Sequence, residues 1–542
     1  MIAFFCAEYG IEDSLPLYAG GLGILAGDFL FEAGDMKVPF VAVGLFYNGG
    51  FARDRDFEGD REQELKHTGF QKVRTEKNQP LIIEINIENR TVGAQVWTHT
   101  YGSARLYLLD TDVEMNAPQD RKITHRLYDP DTGTRILQEL VLGVGGVKLL
   151  RTLGIVPDIY HLNEGHTSFV ALALAAEYLL DNPQESSFTA ALQQMRSKIV
   201  ATKHTILSGA GIFLQREQFK KIIHEYFEHH RIDFDEFFSL GNDKQDPDTF
   251  SATRFLLKSS IRSNGVSMLH TIFEKHKHQN SPLIPITNGV YAKRWRSSHW
   301  PEEGQSVLTD GDIWSIRNTL RKELLDHVKK LTKVELNPEA LTIVWARRIT
   351  AYKRPHLLFS DLARLAKIVA HAKMPVQFIV AGIAHEADKE GMAMAEKIKA
   401  HTNDPSLQGK VVYLPRYSID DAKKLVGGAD VWLNTPTRGV EACGTSGMKS
   451  ALNGGLQCSV SDGWFEEVDW QDMGWVLPDE NTDAALYETI ENVIAPLYFK
   501  RNAENIPEGW IKQIRSTTHT IKERFTATRM IHEYLRKLYM ME

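Results

Sequence analysis

The strongest constraint on this chain is an alternation that runs through both halves: short apolar stretches rich in β-branched residues, separated by amphipathic ones. "VPFVAVGLFY" (38–47), "RLYLLDT" (105–111) and "DIYHLN" (158–163) read as strands in the first half. "LTIVWARR" (341–348), "VQFIVAGIA" (376–384), "KVVYLPRY" (410–417) and "DVWLNTP" (430–436) read as strands in the second. Between them "SFVALALAAEYLL" (168–180), "PHLLFSDLARLAKIVAHA" (355–372) and "SIDDAKKLVGGA" (418–429) have helical spacing. Strands that are apolar on both faces and alternate with helices specify parallel α/β sheets. At 542 residues the chain exceeds one compact core, so two doubly wound, Rossmann-like domains are expected. The polar stretch "RSSHWPEEGQSVLTDGD" (296–312) separates the halves. The expected domains are therefore 1–295 and 296–520, with a helix over 521–542 that crosses back to the first. Two such domains facing each other would bring their strand ends into one cleft.

A net charge of −7 argues against a nucleic-acid or polyanion surface, which would show a basic excess. Three cysteines (Cys6, Cys443, Cys458) make no disulfide framework and fit a reducing compartment. The opening "MIAFFCAEYGIEDS" has no basic leader and reads as a first strand. No apolar run approaches the roughly 20 residues that span a bilayer. The expectation is a soluble, cytoplasmic protein without membrane or nucleic-acid partners, internal repeats or a metal site.

Three stretches carry chemistry. "YAGGLGILAGD" (18–28) is a glycine turn opening a helix, where backbone N–H groups suit a phosphate; a tight turn with no ligand is the alternative. "ARRITAYKRPHLL" (346–358) follows a strand and sets Arg347, Arg348, Lys353 and Arg354 on one connection, matching a dianion or a solvated basic loop. "EACGTSGMKSALNGG" (441–455) places Lys449 among small turn-forming residues. A lysine there can neutralise an anion, bind a carbonyl cofactor, or sit solvated at the surface.

The order of these three stretches resembles the α-glucan (glycogen or maltodextrin) phosphorylases, pyridoxal-phosphate enzymes of the two-Rossmann GT-B glycosyltransferase architecture. "AEYGIEDSLPLYAGGLGILAGD", "HLNEGHTSFVAL", "KHTI", "NGVSMLH", "ITNGVYAKRW", "AGIAHEADKEG" and "DVWLNTPTRGVEACGTSGMKSALNGG" extend the likeness in family order from residue 7 to about residue 465. It is closer to the compact bacterial and archaeal branch. The resemblance implies phosphorolysis of a glucan's non-reducing end by inorganic phosphate, releasing α-glucose 1-phosphate with retention. It also implies that Lys449 binds the aldehyde of pyridoxal 5′-phosphate, whose own phosphate relays a proton. Arg347, Thr445, Gly444, Gly447, Gly20, Gly21, Tyr417 and Trp295 then belong to the cofactor's surroundings. Arg348 and Lys353, with the Gly21 N–H, would hold the substrate phosphate. Glu441, Asn288 and His204 would bind the glucosyl unit, and His166 the acceptor side. Trp295 and Tyr417 as core aromatics, and His166 as a helix cap, are the structural alternatives. A homodimer is compatible with the resemblance.

Cys443 departs from the family's usual serine, and "KHTILSGAG" from its usual loop after His204. The tyrosine that touches the cofactor in longer members has no match after Glu8. The chain opens at its first strand, so the extension that carries regulation in longer relatives is not expected. A nucleotide-sugar glycosyltransferase would share the early glycine turn and the basic pair but lack Lys449. A non-catalytic glucan-binding protein would not need Arg348, Lys353, Glu441, His204 and Lys449 together.

Overall fold

The computed structural model describes residues 1–49, 63, 65–206, 212–242, 246–277, 283–302, 307–385 and 388–540. The chain divides into two compact units, Met1–Val266 with Thr271–Ile286 and Ile531–Glu542, and Ser267–His270 with Thr287–Met530. The division falls at Ile286/Thr287, ahead of the 295/296 boundary read from the sequence. The reason is local. Thr287 donates its hydroxyl to Glu467 (2.8 Å), and Asn453 donates to the Trp295 carbonyl (2.8 Å), so this stretch packs with the second half. The return to the first unit comes at Ile531 and not at 521. The last helical segment is also interrupted: one helix covers Glu508–Arg524 and the next begins at Ala527, because Thr526 pairs with Val290 as a β-bridge.

Among the described residues the first unit's main sheet contains β1 (Ile2–Phe5), β2 (Phe40–Leu45), β3 (Gln71–Lys72), β4 (Ile82–Ile87), β5 (Arg90–Tyr101), β6 (Ala104–Asp110), β7 (Ile159–Asn163) and β8 (Ile199–Lys203). After the small antiparallel pair β9 (Phe213–Gln215) and β10 (Thr249–Ser251), it adds β11 (Arg262–Gly265) and β12 (Leu283–Pro285). The order is β12-β11-β8-β7-β1-β2-β6-β5-β3, with β4 on β5. The strands from β12 to β6 are parallel. β1 and β2 are buried at every residue, as their uninterrupted apolar sequence requires. β4 belongs to the antiparallel extension and alternates, with Ile83, Ile85 and Ile87 inside and Glu84 and Asn86 outside.

Among the described residues the second unit's sheet has six strands, all parallel: β13 (Leu341–Ala346), β14 (Val376–Ala381), β15 (Val411–Leu414), β16 (Val431–Asn434), β17 (Leu456–Val460) and β18 (Gly474–Leu477), in the order β15-β14-β13-β16-β17-β18. This is the Rossmann order, and the order of strands reverses between β13 and β16. In the first unit the corresponding reversal lies between β1 and β7. Ser418 and Asp421 form a capping box that starts the helix Ile419–Gly428 where the sequence placed it. The helix read over 355–372 is instead two pieces, a 3₁₀ turn Pro355–Phe359 and an α-helix Leu362–Val369. Asp361 causes the break by accepting the Arg364 N–H (2.9 Å) as a new N-cap. All three cysteines are free and buried, and no helix among the described residues is long and apolar enough to cross a membrane.

Candidate active site

In open α/β sheets, ligands bind beyond the carboxyl ends of strands at the point where the order reverses. In the second unit β13 ends at Ala346, and the strand's two-residue period carries one step further. Arg347 turns inward and is buried, and Arg348 faces out and is exposed. A 3₁₀ turn, Ala351–Lys353, then folds Lys353 inward. Arg354, the fourth cation of the connection, ties loops together. It donates to the carbonyls of Thr435 (3.0 Å) and Pro436 (2.7 Å) and to Asp479 (3.1 Å).

Beyond β16, Glu441 receives both buried cations. Arg347 Nη1 lies 3.0 Å from Glu441 Oε2, and Lys353 Nζ lies 3.0 and 3.3 Å from its two oxygens. Burial alone would raise the Glu441 carboxyl, but the guanidinium and ammonium outweigh it and hold the group at about 2. Its backbone is fixed by Asp462, beyond β17. Asp462 accepts the N–H groups of Glu441 (2.9 Å), Val440 (3.2 Å) and Gly463 (2.9 Å). Burial pushes Asp462 up to about 6 against those hydrogen bonds.

Lys449 lies on the helix Thr445–Leu452 and is 7% exposed, which rules out a solvated surface lysine. Its Nζ sits 3.9 Å from the centre of the Trp295 ring. Asn453 holds the two together by donating to the carbonyls of Trp295 (2.8 Å) and Lys449 (2.9 Å) while accepting the Ser297 N–H (2.8 Å). Gly444 precedes this helix at φ +85°, a conformation that favours glycine, and no side chain caps the helix N-terminus. Thr445 is half-buried on the first turn. Gly447 serves packing: a Cβ there would stand 2.6 Å from Gln457 Oε1 and 3.0 Å from Trp464. Tyr417 is half-buried beside Arg347, and its phenol is pushed up to about 12, chiefly by burial. Asn288 is buried with its Oδ1 lacking a hydrogen-bond partner, while its carbonyl accepts from Arg529 (3.0 Å). The Cys443 thiol packs on the Asn288 backbone, and burial raises it far above its ordinary value.

The first unit gathers its groups at the ends of β1, β7 and β8. Glu8 is buried and accepts the N–H groups of Ala19 (2.7 Å) and Gly20 (3.3 Å) and the Tyr128 hydroxyl (2.5 Å). The glycine turn therefore already holds an internal carboxylate, and the Gly20 N–H is aimed at it. Gly21 opens the helix Gly21–Asp35, is exposed, and has open space where a Cβ would stand. Glu164 adopts φ +76°, a strained choice for a non-glycine residue, and accepts the His204 N–H (2.8 Å). His204 Nε2 lies 2.7 Å from Asn163 Oδ1. Burial holds His204 at about 4 although Glu164 opposes it, so the ring is neutral. Because Asn163 Oδ1 can only accept, Nε2 carries the proton and Nδ1 is an acceptor. His166 is likewise held at about 4, by burial and by Arg135.

The structure thus brings Arg347, Lys353, Glu441 and Tyr417 together, and separately Lys449 and Trp295. Arg348 is in neither group and has no ion pair among the described residues. Asp462, Asn453, Glu8 and Glu164 are additional residues that the motif reading did not single out. The first two act through backbone groups, which leave little trace in a sequence.

Residues 309–472 match the family model described as carbohydrate phosphorylase, a span that includes Arg347, Lys353, Glu441 and Lys449. The chain is 35% identical over 596 aligned residues to the maltodextrin phosphorylase of Thermococcus litoralis, covering 99% of this chain and 70% of that one. It is 33% identical to the glycogen phosphorylase of Mycobacterium bovis, over 99% and 70% of the two chains. It is 32% identical to the glycogen phosphorylase of Aquifex aeolicus, over 99% and 86%. The chain belongs to the carbohydrate phosphorylase family. It is a glycosyltransferase of the phosphorylase type.

Enzymes of this family use pyridoxal phosphate, and the residues present fit that group. A buried amine on Lys449 lies against an indole that can flank a flat ring. The uncapped helix start with Thr445, and the guanidinium of Arg347, supply donors for a phosphate.

Proposed function

We propose that this protein is an α-1,4-glucan phosphorylase that transfers the non-reducing-end glucosyl unit of glycogen or maltodextrin to inorganic phosphate. The product is α-glucose 1-phosphate, with the anomeric configuration retained. The observation that carries this reading is the buried Arg347–Glu441–Lys353 cluster at the strand-reversal point of the second unit. Burying two cations costs far more than it returns unless a charged partner meets them. Glu441 is the resident partner, and a phosphate dianion is a stronger one. When bound, pyridoxal 5′-phosphate supplies the proton relay to the leaving oxygen through its own phosphate. Lys449 would hold that group, Trp295 would lie against it, and Thr445 with Arg347 would take its phosphate. Gly20, Gly444, Gly447 and Tyr417 stay part of its proposed surroundings.

The chain's own residues divide the remaining work. Arg348 and Lys353, with the Gly21 N–H, bind the substrate phosphate. Glu441, ionised throughout the working pH range, accepts sugar hydroxyls and cannot serve as the proton donor. Asp462, tied to three N–H groups, keeps Glu441 in place. The neutral His204 offers Nδ1 as an acceptor to a glucosyl hydroxyl, and Asn288 Oδ1 offers a second. His166 lies toward the acceptor sugar. Two domains facing across a cleft, the GT-B arrangement, and a cytoplasmic setting are part of the same proposal. So are the functional limits 1–295 and 296–520 with the 521–542 helix, whose junctions lie about ten residues from those of the packing units.

Purified protein incubated with maltodextrin and phosphate should release α-glucose 1-phosphate and no free glucose. Hydrolysis of maltodextrin in phosphate-free buffer would refute the proposal.

A further inference from the structure

Behind the turn that carries Glu164 and His166, a cavity of about 10 Å³ is lined by residues including Tyr47, Tyr128, Arg135, Glu139 and His166. That is room for about one water molecule. Glu139 is 4% exposed, and neither of its carboxyl oxygens has a hydrogen-bond partner. His166 Nδ1 is buried and is also without one. Three unmatched polar atoms around a water-sized space need an explanation, since each unmade hydrogen bond costs about 1–3 kcal/mol. Glu139 sits at the end of the helix Thr132–Leu140, directly before a π-helical turn, Val141–Gly145. Such turns are frequent at functional sites.

Groups facing Glu139 come from every side of the cavity. Arg135 lies on its own helix, Tyr47 beyond β2, Tyr128 on the preceding loop, and His166 beyond β7. Both tyrosines donate elsewhere: Tyr47 to the Ala7 carbonyl (2.8 Å) and Tyr128 to Glu8 (2.5 Å). Burial raises Glu139 to about 8 although Arg135 opposes it, so at neutral pH it is a protonated acid and therefore a donor.

We propose that the cavity holds one water linking the Glu139 carboxyl to His166 Nδ1, making Glu139 the positioning residue that fixes His166 as its Nε2–H tautomer. The acid donates to the water, the water donates to Nδ1, and the ring proton stays on Nε2. Once Glu139 ionises it can only accept. The water then donates one hydrogen to the carboxylate, its oxygen is free to accept, and a His166 Nδ1–H can donate to it, so the hold on the Nε2–H tautomer is released. The catalytic consequence rests on the phosphorylase reading above, whereas the tautomer does not.

Full-length protein labelled with ¹⁵N-histidine, with His166 assigned by its loss in His166→Gln, reports the tautomer through two-bond ¹H–¹⁵N correlations. Wild type should show Nε2–H at pH 7 and lose that preference, with Nδ1–H appearing beside it, as pH passes about 8. Glu139→Gln, whose amide donates at every pH, should keep Nε2–H throughout. Glu139→Met should lose the preference. In parallel, wild-type kcat/KM for maltodextrin should fall roughly tenfold on the alkaline side, as expected when one hydrogen bond is lost. Glu139→Gln should abolish that fall. A tautomer that is unchanged by pH and by both substitutions would overturn the proposal, as would Nδ1–H in wild type at pH 7. If phosphorolysis is absent from every protein, the proposed function fails, and the NMR arm still decides this inference.

Discussion

At the strand ends of the second unit, buried ionisable groups are met by opposite charge. Glu441 stays a carboxylate at about 2 because Arg347 and Lys353 touch it. In the first unit, burial is met by neutralisation. His161, His166 and His204 are held at about 3, 4 and 4, and Glu139 is pushed up to about 8. The same desolvation acts in both places, and the local partners decide its outcome. A charged, paired cluster suits an incoming dianion. A neutral set of donors and acceptors suits a sugar, which has many hydroxyls and no charge. The two halves of one proposed reaction are thus written as two electrostatic styles on related sheets.

Acidification should separate the halves most. A histidine whose folded pKa is lowered stabilises the fold above its unfolded value of about 6.5, and that contribution is lost as pH falls toward 4. Three such histidines amount to several kcal/mol in the first unit, offset in part by Glu139, which becomes less of a burden as pH falls from about 8 toward 4.5. Glu441 loses its contribution only below about 4.5, as pH falls toward 2. Asp462, with a raised pKa, becomes less of a burden as pH falls from about 6 toward 3.8. Hydrogen exchange corrected for intrinsic rates should therefore show β7 and β8 losing protection at pH 5 while β13 and β16 keep it. Equal loss in both units would remove the contrast.

Glu441→Gln should come next, destabilising the protein by about 3–5 kcal/mol, because two buried cations lose their counter-charge. Added phosphate should restore more stability to this variant than to wild type in urea unfolding. No difference in the phosphate effect would mean that the cluster does not bind the anion. Asn453→Ala should cost about 1–3 kcal/mol by stranding buried carbonyls, and should loosen Trp295 from Lys449. The indole fluorescence of Trp295, isolated with a Trp295→Phe control, checks that release. Arg348→Ala should have the smallest structural effect, within about 0.5 kcal/mol, since the residue is exposed. It should nevertheless raise the KM for phosphate at least about tenfold. An unchanged KM would make Arg348 a surface residue and no more.

The strands β1, β2, β6, β7 and β13–β16 were legible because buried strands are apolar on both faces, as in "IAFF" and "LTIVWA", whereas β8 and β17, equally buried but carrying Thr, Lys, Gln and Ser, were not read. The break at Asp361 was not, since one polar residue inside an amphipathic run can be either solvent-facing or a cap. Lys449, Arg347 and Glu441 could be read from their motifs. Burial, which separates Arg347 from its neighbour Arg348, could not. Asp462 and Asn453 were hidden because they act through main-chain groups that any sequence supplies. Glu139 was hidden inside an ordinary amphipathic helix, where only the surrounding fold shows that its carboxyl faces no partner.

The central claim is that Lys449, buried against Trp295, is the covalent anchor for pyridoxal phosphate. Borohydride reduction of the purified protein, followed by peptide mapping, tests it most directly. The pyridoxyl label should fall on Lys449, and Lys449→Ala should carry neither label nor phosphorolytic activity while keeping its fold. A label on another lysine, or fully active protein with no label at all, would contradict the account.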